Sequence, residues 1–280
     1  GCFWLDIASP LPEEMDSLAR AFGIHPLTVE DILTDSGDRD KMESVSDYTF
    51  LIYRAIDTSG FAHHTDSGVV ATGFSMIIKR NCILTFHSAC SSDHVTNALA
   101  RLQHMPQLAS PVYAAYVLID DITDSLVPMM RAIEIEIDAV DDLVLVLSQN
   151  EKSDVLRRVG AVRRRILGIW RLLLGKPDVL RLFSRLMVRK ASMAGMITSE
   201  DIEHYLSDVY DHLVALISSC SHCEMVLARA HSNYMAQISL GLGEATVETG
   251  LFSVRWMVVA AILLPIQFVT GLFGQNVKVP

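Results

Sequence analysis

The spacing of apolar positions changes character along this 280-residue chain. Near the start it is short and alternating. Phe3-Trp4-Leu5-Asp6-Ile7 predicts a strand, Ser9-Pro10 interrupts it, and a helix is expected from about Pro12 to Phe22. Tyr48 to Ile56 is rich in aromatic and β-branched residues and predicts a second strand. Phe74–Ile78 and Cys82–His87 predict two more, with Lys79-Arg80-Asn81 as the hairpin turn between them. No strand pattern of comparable strength follows His87, and from about Val112 the period is helical. Strands first and helices after imply an α+β fold, a mixed α/β domain followed by an all-helical region.

The most regular pattern lies in the last third. Ile202, Leu206, Val209, Leu213, Leu216, Cys220, Cys223, Leu227, Ala230 and Tyr234 alternate in steps of four and three. A repeat of about 3.5 residues lays one apolar seam along a helix, for packing on other helices. Helix breakers are missing until Gly241, Gly243 and Gly250, so one helix is expected from about Glu200 to Phe273, about 110 Å long at about 1.5 Å per residue. A small globule cannot bury such a rod, which must be a stalk. It runs into Trp256–Phe273, a stretch without charge that spans about 27 Å as a helix and nearly matches a bilayer core. Leu251 to Arg255 extend it at the interfacial end, where Trp256 and a snorkelling Arg255 sit well. A buried core helix would have to place this whole uncharged run at the end of a 3.5-repeat rod. Arg255 and Lys278 balance, so charge does not orient the span.

Composition narrows the chemistry. Apolar residues form 50% of the chain and the net charge is −10. No global field draws such a protein onto nucleic acid, whereas cations are attracted. The five cysteines, Cys2, Cys82, Cys90, Cys220 and Cys223, are odd in number and scattered, as in a reducing compartment. With no Met at position 1 and an end soon after the apolar run, the chain reads as a piece of a longer protein. Asp120 to Asp142 is acidic, with Arg131 its single base, and Lys152 to Lys190 is basic, including Arg163-Arg164-Arg165. These stretches are expected to form antiparallel helices whose faces attract. The basic one lacks interleaved aromatics and sits beside its countercharge, which argues against a nucleic-acid site.

Cys220-Ser221-His222-Cys223 has metal-ligand residue types, but no second Cys/His pair completes a zinc site. Both cysteines fall on the seam, where they pack as small hydrophobes. Gly241-Leu242-Gly243 lacks the strand and third glycine of a dinucleotide loop, and Gly175-Lys176 lacks the rest of a phosphate loop. Neither G-x-S-x-G nor H-E-x-x-H occurs. No catalytic constellation and no organic substrate are indicated, so an enzyme is not expected. The clustered glycines are expected to soften the stalk just before the membrane, each by about 1 kcal/mol relative to Ala. Within the apolar run, Ser253, Met257, Ala260, Leu264, Gln267 and Gly271 form one stripe with Trp256 at its edge. Small and polar groups there suit either a water-accessible lumen or close helix–helix packing. Gly274-Gln275-Asn276 follows.

At these residues the sequence resembles the CorA family of divalent-cation transporters, whose mark is Gly-Met-Asn at the outer end of the first membrane helix; here the triplet is Gly274-Gln275-Asn276, after a run containing Pro265. His25-Pro26-Leu27-Thr28-Val29-Glu30-Asp31-Ile32-Leu33, the acidic helix from Tyr116 to Asp138, and Ser207-Asp208-Val209-Tyr210-Asp211-His212 are similar to further family segments in the same order. His231–Ser239 and Leu172–Val179 are more similar to the fungal plasma-membrane branch.

The resemblance implies an α/β cytosolic domain (1–115), antiparallel helices, acidic then basic (116–198), a stalk helix (199–250), a first membrane helix (251–273) and the triplet loop (274–280). It implies a homopentamer in the plasma membrane, with the N-terminal domain cytosolic and a second membrane helix beyond this sequence. Gly274, Gln275 and Asn276 would form the selectivity filter, with Asn276 amide oxygens facing hydrated Mg²⁺. The stripe and Trp256 would line the pore, Trp256 as an apolar constriction. Asp208 and Asp211 would bind regulatory cation between subunits. Gln275 stands where the family has Met, which leaves Co²⁺, Ni²⁺ and Zn²⁺ beside Mg²⁺ as cargo. The alternative is a non-conducting, cation-sensing paralogue that assembles with other subunits.

Overall fold

Two proline-led helices enter the first layer. In the computed structural model, which describes residues 2–34, 39–45, 47–56, 70–104, 110–146, 152–194 and 199–274, strand β1 (Phe3–Ala8) is followed by α1 (Pro12–Phe22) and α2 (Pro26–Leu33). Pro sits in the first turn of each, where its missing N–H costs nothing. Glu14 Oε2 reaches back to accept from the Leu11 N–H at 3.0 Å, and His25 Nδ1 accepts from the Leu27 N–H at 3.2 Å. Gly23, at φ +63, takes the left-handed conformation that ends α1.

Strands β2 (Lys41–Ser44), β3 (Thr49–Ile52), β6 (Phe74–Ile78) and β7 (Cys82–His87) join β1 in a five-stranded sheet of order β1-β7-β6-β3-β2, while β4 (Ala55–Ile56) and β5 (Ala71–Thr72) form a separate ladder. β1 and β7 run parallel, with Leu5 opposite Leu84, and the other pairs are antiparallel. One face of the sheet packs Phe50, Ile52, Ile77, Leu84 and Phe86 on Met15 of α1 and Ile32 of α2. The other packs Leu51, Met76, Ile78 and Ile83 on α3 (Ser92–His104) and α4 (Pro111–Asp124).

The helical region continues through α5 (Leu126–Val146), α6 (Lys152–Leu173), α7 (Lys176–Ala194) and α8 (Ser199–Phe273). Mixed α/β first, long helix after, is the expected fold class. Three details differ from the sequence pattern. Tyr48–Ile56 is not one strand: at its middle the Arg54 N–H donates to Asp40 Oδ1 at 2.8 Å, which takes that amide out of any ladder and splits β3 from β4. The acidic stretch is divided between α4 and α5, and the basic one between α6 and α7. Helices α2 and α3 were not foreseen, because both are short and lie among strands.

A buried charge cluster ties the helices to the sheet. Lys176, the first residue of α7, has no exposed surface. Its Nζ donates to Asp40 Oδ1 at 3.1 Å and to the Arg54 carbonyl at 2.6 Å, and it lies 3.5 Å from the centre of the Tyr53 ring. Arg54 Nη2 donates to Asp40 Oδ2 at 3.1 Å. Burial pushes the Lys176 ammonium down to about 8, against the pull of Asp40.

Candidate functional site

The seam of α8 anchors everything beyond it. Leu206, Val209, Leu213, Leu216, Cys220, Cys223, Leu227, Ala230 and Tyr234 are all buried, under α4, α5, α6 and α7, with Ile202 packed at the edge. Cys220 Sγ lies 3.5 Å from Met130 Sδ, and burial raises both seam thiols, Cys220 to about 12 and Cys223 to about 11. These are packed hydrophobes. Charged groups stitch the flanks: Arg229 Nη2 to Asp141 Oδ2 at 2.7 Å, Arg163 to Glu224, and the Arg181 guanidinium on the Tyr210 ring at 4.6 Å. Glu136 of α5 pairs with Arg158 and Arg165 of α6, so acidic and basic helices attract there. The acids of α4 have other partners. Asp120 meets Arg101 Nη1 at 2.6 Å, Asp121 meets His94 Nδ1 at 2.7 Å, and Asp124 lies 3.7 Å from His212 Nδ1. Burial and the nearby Asp120 raise the Asp124 carboxyl.

Ile238 is the last residue of α8 that packs on the core. From Leu242 to Gly274 every residue is partly or fully exposed. α8 nevertheless continues as one helix through Gly241, Gly243, Gly250 and Pro265 to Phe273, and the apolar window within it is wholly unburied and long enough to cross a membrane. The softening expected of the glycines leaves no break in the helix. Added methyl groups at Gly243 and Gly250 would meet nothing within 4 Å. Pro265 has no N–H for the carbonyl one turn back. Downstream, Thr270 Oγ1 donates to the carbonyls of Ile266 and Gln267, both at 3.0 Å.

Ser253, Met257, Ala260, Leu264, Gln267 and Gly271 lie in steps of four and three along this exposed segment, with Trp256 beside them and its ring 6.0 Å from that of Phe252. The Ser253 hydroxyl donates to the Thr249 carbonyl at 2.9 Å, which satisfies it within its own helix. Gly274 closes the helix: its N–H donates to the Thr270 carbonyl at 2.9 Å, and a Cβ there would crowd that same oxygen at 3.2 Å. Gln275 and Asn276 lie outside the described residues. Asp208 and Asp211 sit one turn apart on α8, exposed, with no ion pair among the described residues. Asp208 adds to the burial that raises the Tyr116 hydroxyl to about 12. Among the described residues of one chain, no group of three or more His, Cys, Asp or Glu is placed to hold a metal ion. As exposed hard-oxygen donors without a counterion, Asp208 and Asp211 fit Mg²⁺ in kind.

The residues that sequence reasoning missed are Asp40, Arg54 and Lys176. In the sequence Lys176 stands out as a fragment of a phosphate loop and as part of Leu172–Val179, with no sign of a buried ion pair. Its partners come from 122 and 136 positions away, a separation no local pattern reveals.

Comparison with known proteins agrees with this architecture. Residues 1–280 match the family described as CorA-like Mg2+ transporter protein. A candidate metal ion transporter of Schizosaccharomyces pombe is 36% identical over 100% of the chain and 34% of its own length. Magnesium transporter ALR1 of Saccharomyces cerevisiae is 29% identical over 99% of the chain and 36% of its own length. The chain thus spans about a third of these fungal relatives. The complete structure of the CorA magnesium transporter from Methanocaldococcus jannaschii superposes with a TM-score of 0.71 at 19% identity, over 99% of this chain and 80% of that one.

Proposed function

The chain belongs to the CorA-like Mg2+ transporter family, and from that premise we propose that it is a subunit of a divalent-cation channel in which α8 is the pore helix and Mg²⁺ the principal cargo. The observation that carries this reading is α8 itself. One helix is rooted in a packed core at Leu206–Tyr234 and runs unbroken into an uncovered, uncharged segment. Five copies around an axis would cover that segment and turn the stripe from Ser253 to Gly271 inward.

Mg²⁺ gives up its water reluctantly, so a filter selects it best as the hydrated ion. A ring of Asn276 amide oxygens, framed by Gly274 and Gln275, would hydrogen-bond to the water shell without the trap that a ring of carboxylates makes. Gln267, about two and a half turns deeper at about 3.6 residues per turn, would supply a second polar ring. Trp256 would be a constriction that closes by excluding water. The membrane potential drives cations inward by about 2.3 kcal/mol per charge per 100 mV. Asp208 and Asp211 would share a cytosolic cation with a neighbouring subunit. Bound cation would offset acid–acid repulsion and favour the closed state, so rising internal Mg²⁺ would stop its own entry. In this reading the membrane is the plasma membrane, with the sheet-bearing domain in the cytosol.

The test is uptake by the full-length protein, comparing Mg²⁺, Co²⁺, Ni²⁺ and Zn²⁺. Asn276→Ala is expected to abolish flux of the preferred ion. Normal uptake by that variant would remove the filter assignment, and no uptake by the unaltered protein would remove transport itself.

A further inference from the structure

Near its start, α8 carries opposite charges on its two flanks at one height. The basic helices line one flank: the Arg181 guanidinium of α7 lies on the Tyr210 ring, and Arg163 of α6 pairs with Glu224. The acidic α4 lines the other. Tyr205 stacks on its Tyr116 ring at 5.1 Å between centroids, and His212 lies 3.7 Å from its Asp124. Asp208, one turn after Tyr205, is near enough to Tyr116 to raise its hydroxyl. Asp208 and Tyr210 are two residues apart on one helix, so their side chains point to nearly opposite sides.

Both sets of charges are left over within the chain. Arg181, Arg185 and Arg189 repeat every four residues along α7 and are exposed, with Asp178 the one acid of that helix. Arg181 is engaged by Tyr210. Arg185 and Arg189 have no ion pair among the described residues, and neither have the exposed Asp208 and Asp211. α7 ends at Ala194 and α8 begins at Ser199, so the two run antiparallel. Counted from the Arg181–Tyr210 contact at about 1.5 Å per residue, Arg185 lies about 6 Å toward the start of α8 and Asp208 about 3 Å. An arginine side chain spans that difference. One chain cannot join the two, because α8 itself stands between them.

We propose that Arg185 of one copy docks against Asp208 and Asp211 of the next, with Arg189 and the exposed Leu182 beside it. This rests on the subunit reading given above and names what the neighbouring copy brings to those acids. Opposite charges on opposite flanks make the contact head-to-tail, the kind that closes into a ring, whereas a two-fold dimer would set arginine against arginine. Rotation about an axis along α8 keeps every residue at its own height, as the match requires. The same two carboxylates are those assigned to a cytosolic cation, so guanidinium and cation compete for them. Arg185 thereby sets how much internal Mg²⁺ the cation site needs.

Two measurements on the full-length protein in detergent test the contact. The first places Leu182→Cys and Ser207→Cys in one chain, which leaves all four charges in place, with the exposed Cys2 and Cys90 replaced by Ser. A short bismaleimide is expected to give crosslinked species larger than a dimer, and neither cysteine alone should do so. The second is calorimetric titration with magnesium chloride. Arg185→Gln should tighten Mg²⁺ binding several-fold and Arg185→Lys should stay near the parent. Arg20→Gln, on α1, controls for the lost charge and should change nothing. An assembled protein that yields no species beyond a dimer would overturn the contact and leave assembly standing. A monomer by sedimentation would overturn both. Equal Mg²⁺ affinity for Arg185→Gln and Arg20→Gln would overturn the competition.

Discussion

Removing Asp40 should harm this protein far more than removing Lys176, although the two contact each other. The cluster holds one carboxylate between two cations: Lys176 Nζ at 3.1 Å from Oδ1 and Arg54 Nη2 at 3.1 Å from Oδ2. Asp40→Ala takes away the carboxylate that both buried cations share. Breaking a buried ion pair from one side costs about 3–5 kcal/mol, or roughly 6–20 °C in thermal midpoint for a domain of this size. Lys176→Met keeps the packed stem and leaves Asp40 balanced by Arg54. Its cost is the two Nζ hydrogen bonds and the contact with Tyr53, about 1–3 kcal/mol. The pH dependence separates the two further. Burial brings the Lys176 ammonium of the folded chain down to about 8, below the ordinary lysine value of about 10.5. Between those values the unfolded chain binds more protons, so this group's contribution to stability rises as pH climbs through 8 and levels off near 10.5. Thermal unfolding of the full-length protein in detergent, followed by tryptophan fluorescence from pH 7 to 10, reads both effects. Lys176→Met should flatten the rise. Equal costs for the two variants, or a reversed order, would refute the charge count on which the ranking rests.

His87 gives the opposite pH signature. Burial alone would lower its pKa, but the Asp6 carboxylate and the Ser88 carbonyl outweigh it and hold the imidazole protonated above 6.5. That stabilisation is complete below about 6.5 and is lost as pH rises through the folded value, so the thermal midpoint should fall over that window in the parent relative to His87→Gln. Cys220→Ser puts a hydroxyl beside Met130 in an apolar seam and should cost about 1–3 kcal/mol, measured as a lower midpoint. Gly243→Ala and Gly250→Ala meet no neighbour, so each should stabilise the helix by about 1 kcal/mol in thermal unfolding. If together they leave gating unchanged in flux measurements, the idea of a soft point in the stalk is finished.

The parts legible in the sequence are those written in local periods. Ile202 through Tyr234 repeat every 3.5 residues, and the structure buries that row almost without exception. Phe74–Ile78 and Cys82–His87 carry enough branched and aromatic residues to announce a hairpin, and it forms with Ile78 opposite Ile83. Lys41–Ser44 carries no such pattern. It is a four-residue edge strand with charged residues, held by its pairing with Thr49–Ile52 rather than by its own propensity. The partners of Asp120, Asp121 and Asp124 were equally hidden. A run of acids predicts a solvated face, whereas Arg101, His94 and His212 arrive from α3 and α8 through the tertiary fold. The candidate pore stripe could be read because helical spacing alone defines it. The ligation proposed for Asp208 and Asp211 would depend on a neighbouring chain, which no single sequence contains.

Between Ile238, the last residue of α8 packed on the core, and Trp256, where the uncharged run begins, α8 crosses about 27 Å at about 1.5 Å per residue with no described residue of its own chain packed on it. Leu240, Leu242 and Val247 stand uncovered along this neck. On the assembly proposed above, a solitary subunit would present water with a greasy, glycine-weakened column, so the neck should become ordered only as sister subunits close around it. Its persistence is then a matter of concentration, as for any obligate assembly. A cell that makes too few copies would hold polypeptides with finished heads and unfinished necks, the form most exposed to proteases.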